Sequence, residues 1–432
     1  MSKISKIFLL LLLFGCSFND GSRFWSKKEN LATNQSDFKL LFKEETEISK
    51  EFNNDFSIKF DKLQKETIKN SYYNNNDGYQ DFESSLEKIS KFNFSKIDNF
   101  EKVEATLIFE NDDIIFFDNK GSIFKLNKDS NSIWSTNIYS KSEKKLHPLI
   151  NLDKKDNLLV AADNLGKYYA IDSKNGDIIW QKENSSPFNS QIKIYNNCIL
   201  IVDANNSLKC YSLKDGRKIW SRNTEKPFIS SSKKLSIAIK NKKIFFINSI
   251  GDITAVNANN GNLIWQISTR NSEIFEDIMN LKNSNLVINN ESLYLSNNKN
   301  EFYSIDVNTG TINWKQNINT NLKPAIVDNL IFTISMNGYL FLIEKKSGNI
   351  VRITNIFKGL KLKIKKNLLP TGFVLNNENL FVSTNKGFLL VVDIEKGKNR
   401  KFFKIDNNNI SRAFIQNKYF YLVRNNSILK LN

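Results

Sequence analysis

Histidine is almost absent from this 432-residue chain: His147 is the only one. A single imidazole removes histidine-based triads, most zinc sites and most general-base schemes. Cysteine is nearly as scarce. There are three, none adjacent and none in a CxxC spacing, which excludes the common thiol metal and redox motifs. No glycine-rich phosphate loop follows a strand and opens a helix. The net charge is +17, but its lysines are spread through strands and turns with no Arg-rich groove motif, so nucleic acid is not an expected partner. No long 3.6-residue hydrophobic period runs through the body of the chain, so helices are not its building unit. Carboxylates recur at turn positions (Asp172, Asp306, Asp393), where bonds to local backbone explain them. No catalytic, cofactor-binding or metal constellation emerges.

What the chain has instead is a repeated phrase. NGDIIW ends at Trp180, DGRKIW at Trp220, NGNLIW at Trp265 and TGTINW at Trp314, with a weaker copy, DSNSIW, ending at Trp134. Five of the six tryptophans sit in it, 46, 40, 45 and 49 residues apart, which is the period of an array of supersecondary units. Each phrase closes a longer block of short β-branched and aromatic runs divided by Asn/Asp/Gly turns, as in KKIFFINSIGDITAVNANNGNLIW. Such blocks predict strands joined by tight hairpins. Two further copies carry Arg352 and Lys401 at the Trp position, and the chain ends on a truncated copy, ISRAFIQNKYFYLVRNNSILKLN.

All five prolines (Pro148, Pro187, Pro227, Pro324, Pro370) fall in the link after such a phrase, before the next apolar strand. Proline cannot donate to a ladder, so this placement predicts a strand entering at the one-sided edge of a small sheet. Four strands in 40 to 50 residues is the arithmetic of a propeller blade. The expected fold is all-β: an eight-bladed β-propeller of four-stranded antiparallel blades. Its eighth blade is expected to be closed by N- and C-terminal strands, from residues near 94–105 and 410–432.

The N-terminus has a basic start, Lys3 and Lys6, then a short apolar run, Ile7 to Phe14, then Gly15 and Cys16. That is a secretory signal, too short to span a membrane. LFGC matches the bacterial lipobox and predicts removal of residues 1–15 and lipidation of Cys16. Several acyl chains, at about 0.8 kcal/mol per buried methylene, would anchor stably. Ser17 after the cysteine points to the outer membrane, on its periplasmic face. Residues 16–90 lack the repeat and are expected to be an anchor and tether, partly disordered or helical, before a propeller over 91–432. Phe38, Leu41, Phe42, Ile48, Phe52 and Phe56 fall partly on a helical face, and Tyr72 to Tyr79 (YYNNNDGY) reads as a loop.

Cys198 and Cys210 flank the hairpin ILIVDANNSLK. A register that sets them together allows a disulfide in an oxidising compartment; a one-residue slip puts them on opposite faces. Both readings stay open.

YYAIDSKNGDIIW and FYSIDVNTGTINW resemble the repeat of the pyrroloquinoline-quinone-like propellers, from about residue 107 to the C-terminus. The resemblance implies the propeller fold and one of two functions. The quinoprotein dehydrogenases of this family carry a vicinal cysteine pair, a stacking Trp floor and a catalytic Asp around quinone and calcium. This chain has no adjacent cysteines, and its tryptophans are expected to dock neighbouring blades. The other branch comprises non-catalytic lipoproteins of the outer-membrane β-barrel assembly machinery, and the signal and lipobox fit it. That branch implies no cofactor, a monomer within a complex, and the periplasmic domains of the barrel-assembly protein as partner. A carbohydrate- or cell-wall-binding propeller is a further alternative. Inter-blade links near Phe188 and Phe228, each beside a proline, or the run Lys358–Lys366, are the candidate partner contacts.

Overall fold

The computed structural model describes residues 48–58, 71–98, 100, 103–269 and 280–432. The described residues build eight four-stranded antiparallel sheets. Seven follow chain order. Blade one runs from Ile108–Glu110 to Ser132–Thr136, blade two from Ile150–Lys155 to Ile178–Glu183, and blade three from Lys193–Tyr195 to Lys218–Asn223. Blade four spans Ile237–Lys240 to Leu263–Ser268, blade five Val287–Asn289 to Ile312–Gln316, blade six Ala325–Val327 to Ile350–Asn355, and blade seven Pro370–Leu375 to Asn399–Lys404. The middle strands of each blade are almost wholly buried, while the fourth is exposed on alternate residues or more, except in blade six, where no residue of Ile350–Asn355 is exposed. The parts of the expected fold thus appear as read: eight blades, each Trp in a fourth strand, and a truncated final copy.

Blade eight holds three strands from the C-terminal end (Phe414–Gln416, Tyr419–Arg424, Ser427–Leu431) and one from the N-terminal side, Lys88–Asn93. The register runs from Lys88 opposite Leu431 to Asn93 opposite Ser427. Closure by both ends is therefore as expected, but the closing strand lies earlier than 94–105. Phe94, Ile97 and Phe100 instead pack into the core between blades eight and one, because their spacing of three does not keep them on one face of a strand.

The repeated phrase has a packing reason. In blades one to five the Trp lies over the glycine that turns the next blade from its third strand to its fourth. A Cβ at Gly176, Gly216, Gly261, Gly310 or Gly348 would come within 2.5 to 2.8 Å of Trp134, Trp180, Trp220, Trp265 or Trp314 respectively, and each glycine has positive φ. Glycine is needed twice over, for the turn and for the indole. Four indoles also donate to a backbone carbonyl of that same turn: Trp134 to Ser173, Trp180 to Leu213, Trp265 to Val307 and Trp314 to Lys345. Each ring thus buries its apolar body and satisfies its one donor. Blade six has lost the Trp but keeps the bond: Arg352, fully buried, donates through Nη2 to the equivalent carbonyl of Ile394 at 2.8 Å.

In blade three, Cys198 pairs with Ser212 and Cys210 with Leu200, so the two cysteines are diagonal neighbours on one face. Their Cα atoms are 5.5 Å apart and a disulfide joins them.

Candidate functional site

The chain's non-repeat residues determine what the ring leaves open. Residues 48–58 lie along the outer edge of blade six. Phe52 and Ile353 exchange both backbone hydrogen bonds at 3.0 Å, Ile58 donates to Glu395, and Glu51 pairs with Lys358 at 2.7 Å. Arg352 reaches past its own blade to the Phe56 carbonyl at 2.9 Å. Ile48, Phe52 and Phe56 were expected on a helical face; they are instead in extended chain beside an edge strand, because that edge offers unpaired backbone donors and acceptors. Phe38, Leu41 and Phe42 lie outside the described residues.

The expected loop Tyr72–Tyr79 is an insertion into the ring axis. After a helical turn at Ser71–Asn74, the Tyr72 hydroxyl donates to Asp153 of blade two, and Lys193 of blade three donates to the Tyr72 carbonyl, its ammonium 4.4 Å from the ring centroid. Asn75, buried, donates to the carbonyls of Ile237 (3.0 Å) and Leu286 (2.9 Å). Asp77 pairs with Lys323 (2.7 Å) and Arg412 (3.1 Å). Gly78 runs so close to blade six that a Cβ would sit 2.3 Å from that of Ala325. Tyr79 and Gln80 then pair with Leu375, and Phe82 enters the core between blades seven and eight. The segment touches first strands around the ring, satisfying carbonyls and charges that would otherwise face the channel.

Above this insertion lies a cavity of about 820 Å³ on the side of the inter-blade links. Among the described residues, Lys193, Lys233, Lys234, Lys282, Lys323 and Arg412 line it, with Asp77, Glu104 and Asp153 as carboxylates. Glu104 takes Lys234 on its carbonyl (2.9 Å) and Lys233 on its carboxylate (3.5 Å). Burial pushes Lys233, Lys234 and Lys323 below the usual lysine range, and Lys193 down to about 8. Burial likewise raises Asp153 to about 6. Burial also opposes the charge on Asp77, but Arg412 and Lys323 outweigh it and hold that carboxyl well below its ordinary value.

The two link phenylalanines differ. Phe228 is 84% exposed, with Ile229 beside it 43% exposed. Phe188 is 3% exposed and packs edge-on against Tyr168 and Tyr211, so it forms blade core and offers a partner nothing. Within Lys358–Lys366, Leu362–Lys365 is a helical turn with Leu362 84% exposed, while Ile364 packs against the core. A similar turn, Lys141–Lys144, precedes blade two and leaves Leu146 61% exposed. Cys16 lies outside the described residues. His147, half-exposed, has Nδ1 2.7 Å from the Asn119 amide and 3.7 Å from Asp98. Among the described residues no three His, Cys, Asp or Glu side chains cluster to hold a metal, and no helix is long and apolar enough to cross a membrane. The inserted segment escaped sequence reasoning. Its signal is a run of amide side chains and a glycine set among tyrosines, outside the repeat.

A family profile described as outer membrane protein assembly factor BamB matches residues 119–354. Among curated proteins, the outer membrane protein assembly factor BamB of Moranella endobia is 21% identical over 244 residues, which is 56% of this chain and 61% of that one. The chain thus matches a little under two thirds of that relative's length. Among solved structures, BamB from Moraxella catarrhalis superposes with a TM-score of 0.65 at 14% identity, over 80% of this chain and all of that one. A europium-containing methanol dehydrogenase superposes with a TM-score of 0.62 at 11% identity, over 82% and 88%. These two likenesses establish the fold alone.

Proposed function

The chain belongs to the family of outer membrane protein assembly factor BamB, and from that premise we propose that it is a non-catalytic scaffold of the outer-membrane β-barrel assembly machinery. In this reading it is a lipoprotein, held through Cys16 on the periplasmic face of the outer membrane. Its ring organises the periplasmic domains of the barrel-assembly protein as a monomer within that complex.

The observation that carries the reading is the family match combined with what the links present. The ring is rigid, its axis is entered by the chain's own residues 71–82, and exposed apolar groups stand on the links at Phe228, Ile229, Leu146 and Leu362. A large aromatic on a fixed link is the type of anchor that dominates interface energetics. The disulfide in blade three suits an oxidising compartment such as the periplasm. The dehydrogenase alternative draws on the shared fold, but the adjacent cysteines of that branch are not in this sequence.

The test is recovery of the tagged full-length chain from membranes with photo-crosslinkers at residue 228 and at an outer-strand position such as 219. The reading expects a crosslink to the barrel-assembly protein from residue 228, and fatty-acid labelling that Cys16→Ala abolishes. Absence of that crosslink, or turnover of alcohols or sugars with added quinone and calcium, overturns it.

A further inference from the structure

We propose that the cavity at the ring axis is a binding site for a small polyanion, a ligand carrying at least two phosphate or carboxylate groups. The inserted residues 71–82 make it a cup. Tyr79 and Gln80 pair with Leu375, one residue before the turn at Asn376 and Asn377, so the segment closes the hairpin side and the cup opens on the link side.

Charge within the cup is unbalanced. Among the described residues, six cationic groups line it against three carboxylates, a surplus of three positive charges. The cations come from five separate places in the array: Lys193 from blade three, and the others from the links before blades four, five, six and eight. Two of the three carboxylates, Asp77 and Glu104, are not part of any blade; the non-repeat residues deliver them. The ring alone is therefore a basic socket, and the chain's own acids fill it in part.

Cations partly withdrawn from water that outnumber their partners are costly unless counter-charge arrives. The depressed basicity of Lys233, Lys234 and Lys323 has burial as its largest cause, with Lys282 adding to it at Lys233 and Arg412 at Lys323. A bound polyanion would supply the missing charge in a site where attraction is weakly screened. The cavity, at about 820 Å³, has room for a ligand of this class together with water. Lys282 is exposed and lines the cavity.

Isothermal titration of the full chain with sodium tripolyphosphate, and separately with citrate, at matched ionic strength tests the site. The expected result is saturable binding of one equivalent. Binding of tripolyphosphate alone assigns phosphate, and binding of citrate alone assigns carboxylate. Lys282→Glu should weaken binding about tenfold, and Glu104→Gln, which removes an acid already in the cup, should tighten it by a similar factor. Opposite signs from two variants with parental circular dichroism cannot come from altered folding. Heats that depend only on ionic strength, or equal affinities in parent and both variants, overturn the proposal. The scaffold reading does not depend on the outcome.

Discussion

Arg352 and Trp314 make the same bond in successive blades. Each donates to the carbonyl one residue past the acidic end of the next blade's third strand, Ile394 after Asp393 and Lys345 after Glu344. Arg352 also holds Glu395 and Phe56, so it secures the outer arm as well as the blade. Arg352→Met is expected to take a donor from three carbonyls, of which Glu395 keeps the Ile58 amide, and to cost about 2–4 kcal/mol in urea denaturation. Hydrogen exchange should show the Phe52 and Ile353 amides losing protection first.

Two glycines separate conformational strain from packing. Gly261 and Gly359 both have positive φ, but a Cβ on Gly261 would meet Trp220 at 2.5 Å while Gly359 has nothing within 4 Å. Gly359→Ala should cost only the backbone strain, about 1 kcal/mol. Gly261→Ala should cost clearly more, and Trp220→Ala in the same chain should relieve the excess. Thermal unfolding of the parent and the three variants, with Trp220→Ala alone as reference, measures this.

The disulfide closes a loop of sequence separation 12. Replacing both Cys198 and Cys210 by alanine should lower stability by about 3 kcal/mol without altering the far-ultraviolet spectrum. Denaturation of parent and variant, with and without reductant, checks it: reductant should affect only the parent.

Glu110 ties blade one to blade two. Burial opposes its charge, but hydrogen bonds from Lys125 and Lys154, the latter at 2.8 Å, and from Ser173 hold its carboxyl down at about 2. A depressed carboxyl stabilises the fold above its unfolded value near 4.5, and that stability is lost as pH falls through the range from 4.5 to about 2. Glu110→Gln should remove that acid limb. Because the site is partly solvated, the difference at neutral pH should be only about 1–2 kcal/mol. Denaturation midpoints of the two proteins should converge as the pH is lowered.

Phe228→Asp should leave stability within about 0.5 kcal/mol of the parent while sharply reducing capture of the barrel-assembly protein. Phe188→Ala should do the reverse, destabilising blades two and three by about 3–5 kcal/mol. Pull-down yield and unfolding free energy, measured on both variants, distinguish them.

The two phenylalanines also show where sequence reasoning ends. SPFN and KPFI look alike locally, yet Phe188 is drawn into a bridge with Asp203 and Phe228 is not. Nothing within a few residues determines that; the rings of Tyr168 and Tyr211 do. The blade phrase was readable because one physical need, an indole over a glycine turn, recurs at a fixed period. Even its loss at Arg352 was visible as a break in that period. Asn75 has no such repetition: its partners are single carbonyls at Ile237 and Leu286, more than 160 residues away. A contact made once, over that distance, leaves no pattern in the chain. The disulfide lay between these cases, since it turned on whether the register was diagonal or slipped.

The pairing of Lys88 with Leu431 also fixes an order of events during biosynthesis. Translation proceeds at about 5–20 residues per second, so the outer strand of the last blade, made first, waits on the order of tens of seconds for its partner. Throughout that interval the seven earlier blades form an open arc with raw β-edges at both ends. The arc cannot be sealed before the final residues leave the ribosome. Until Leu431 meets Lys88, those edges are the part of the ring most in need of a chaperone.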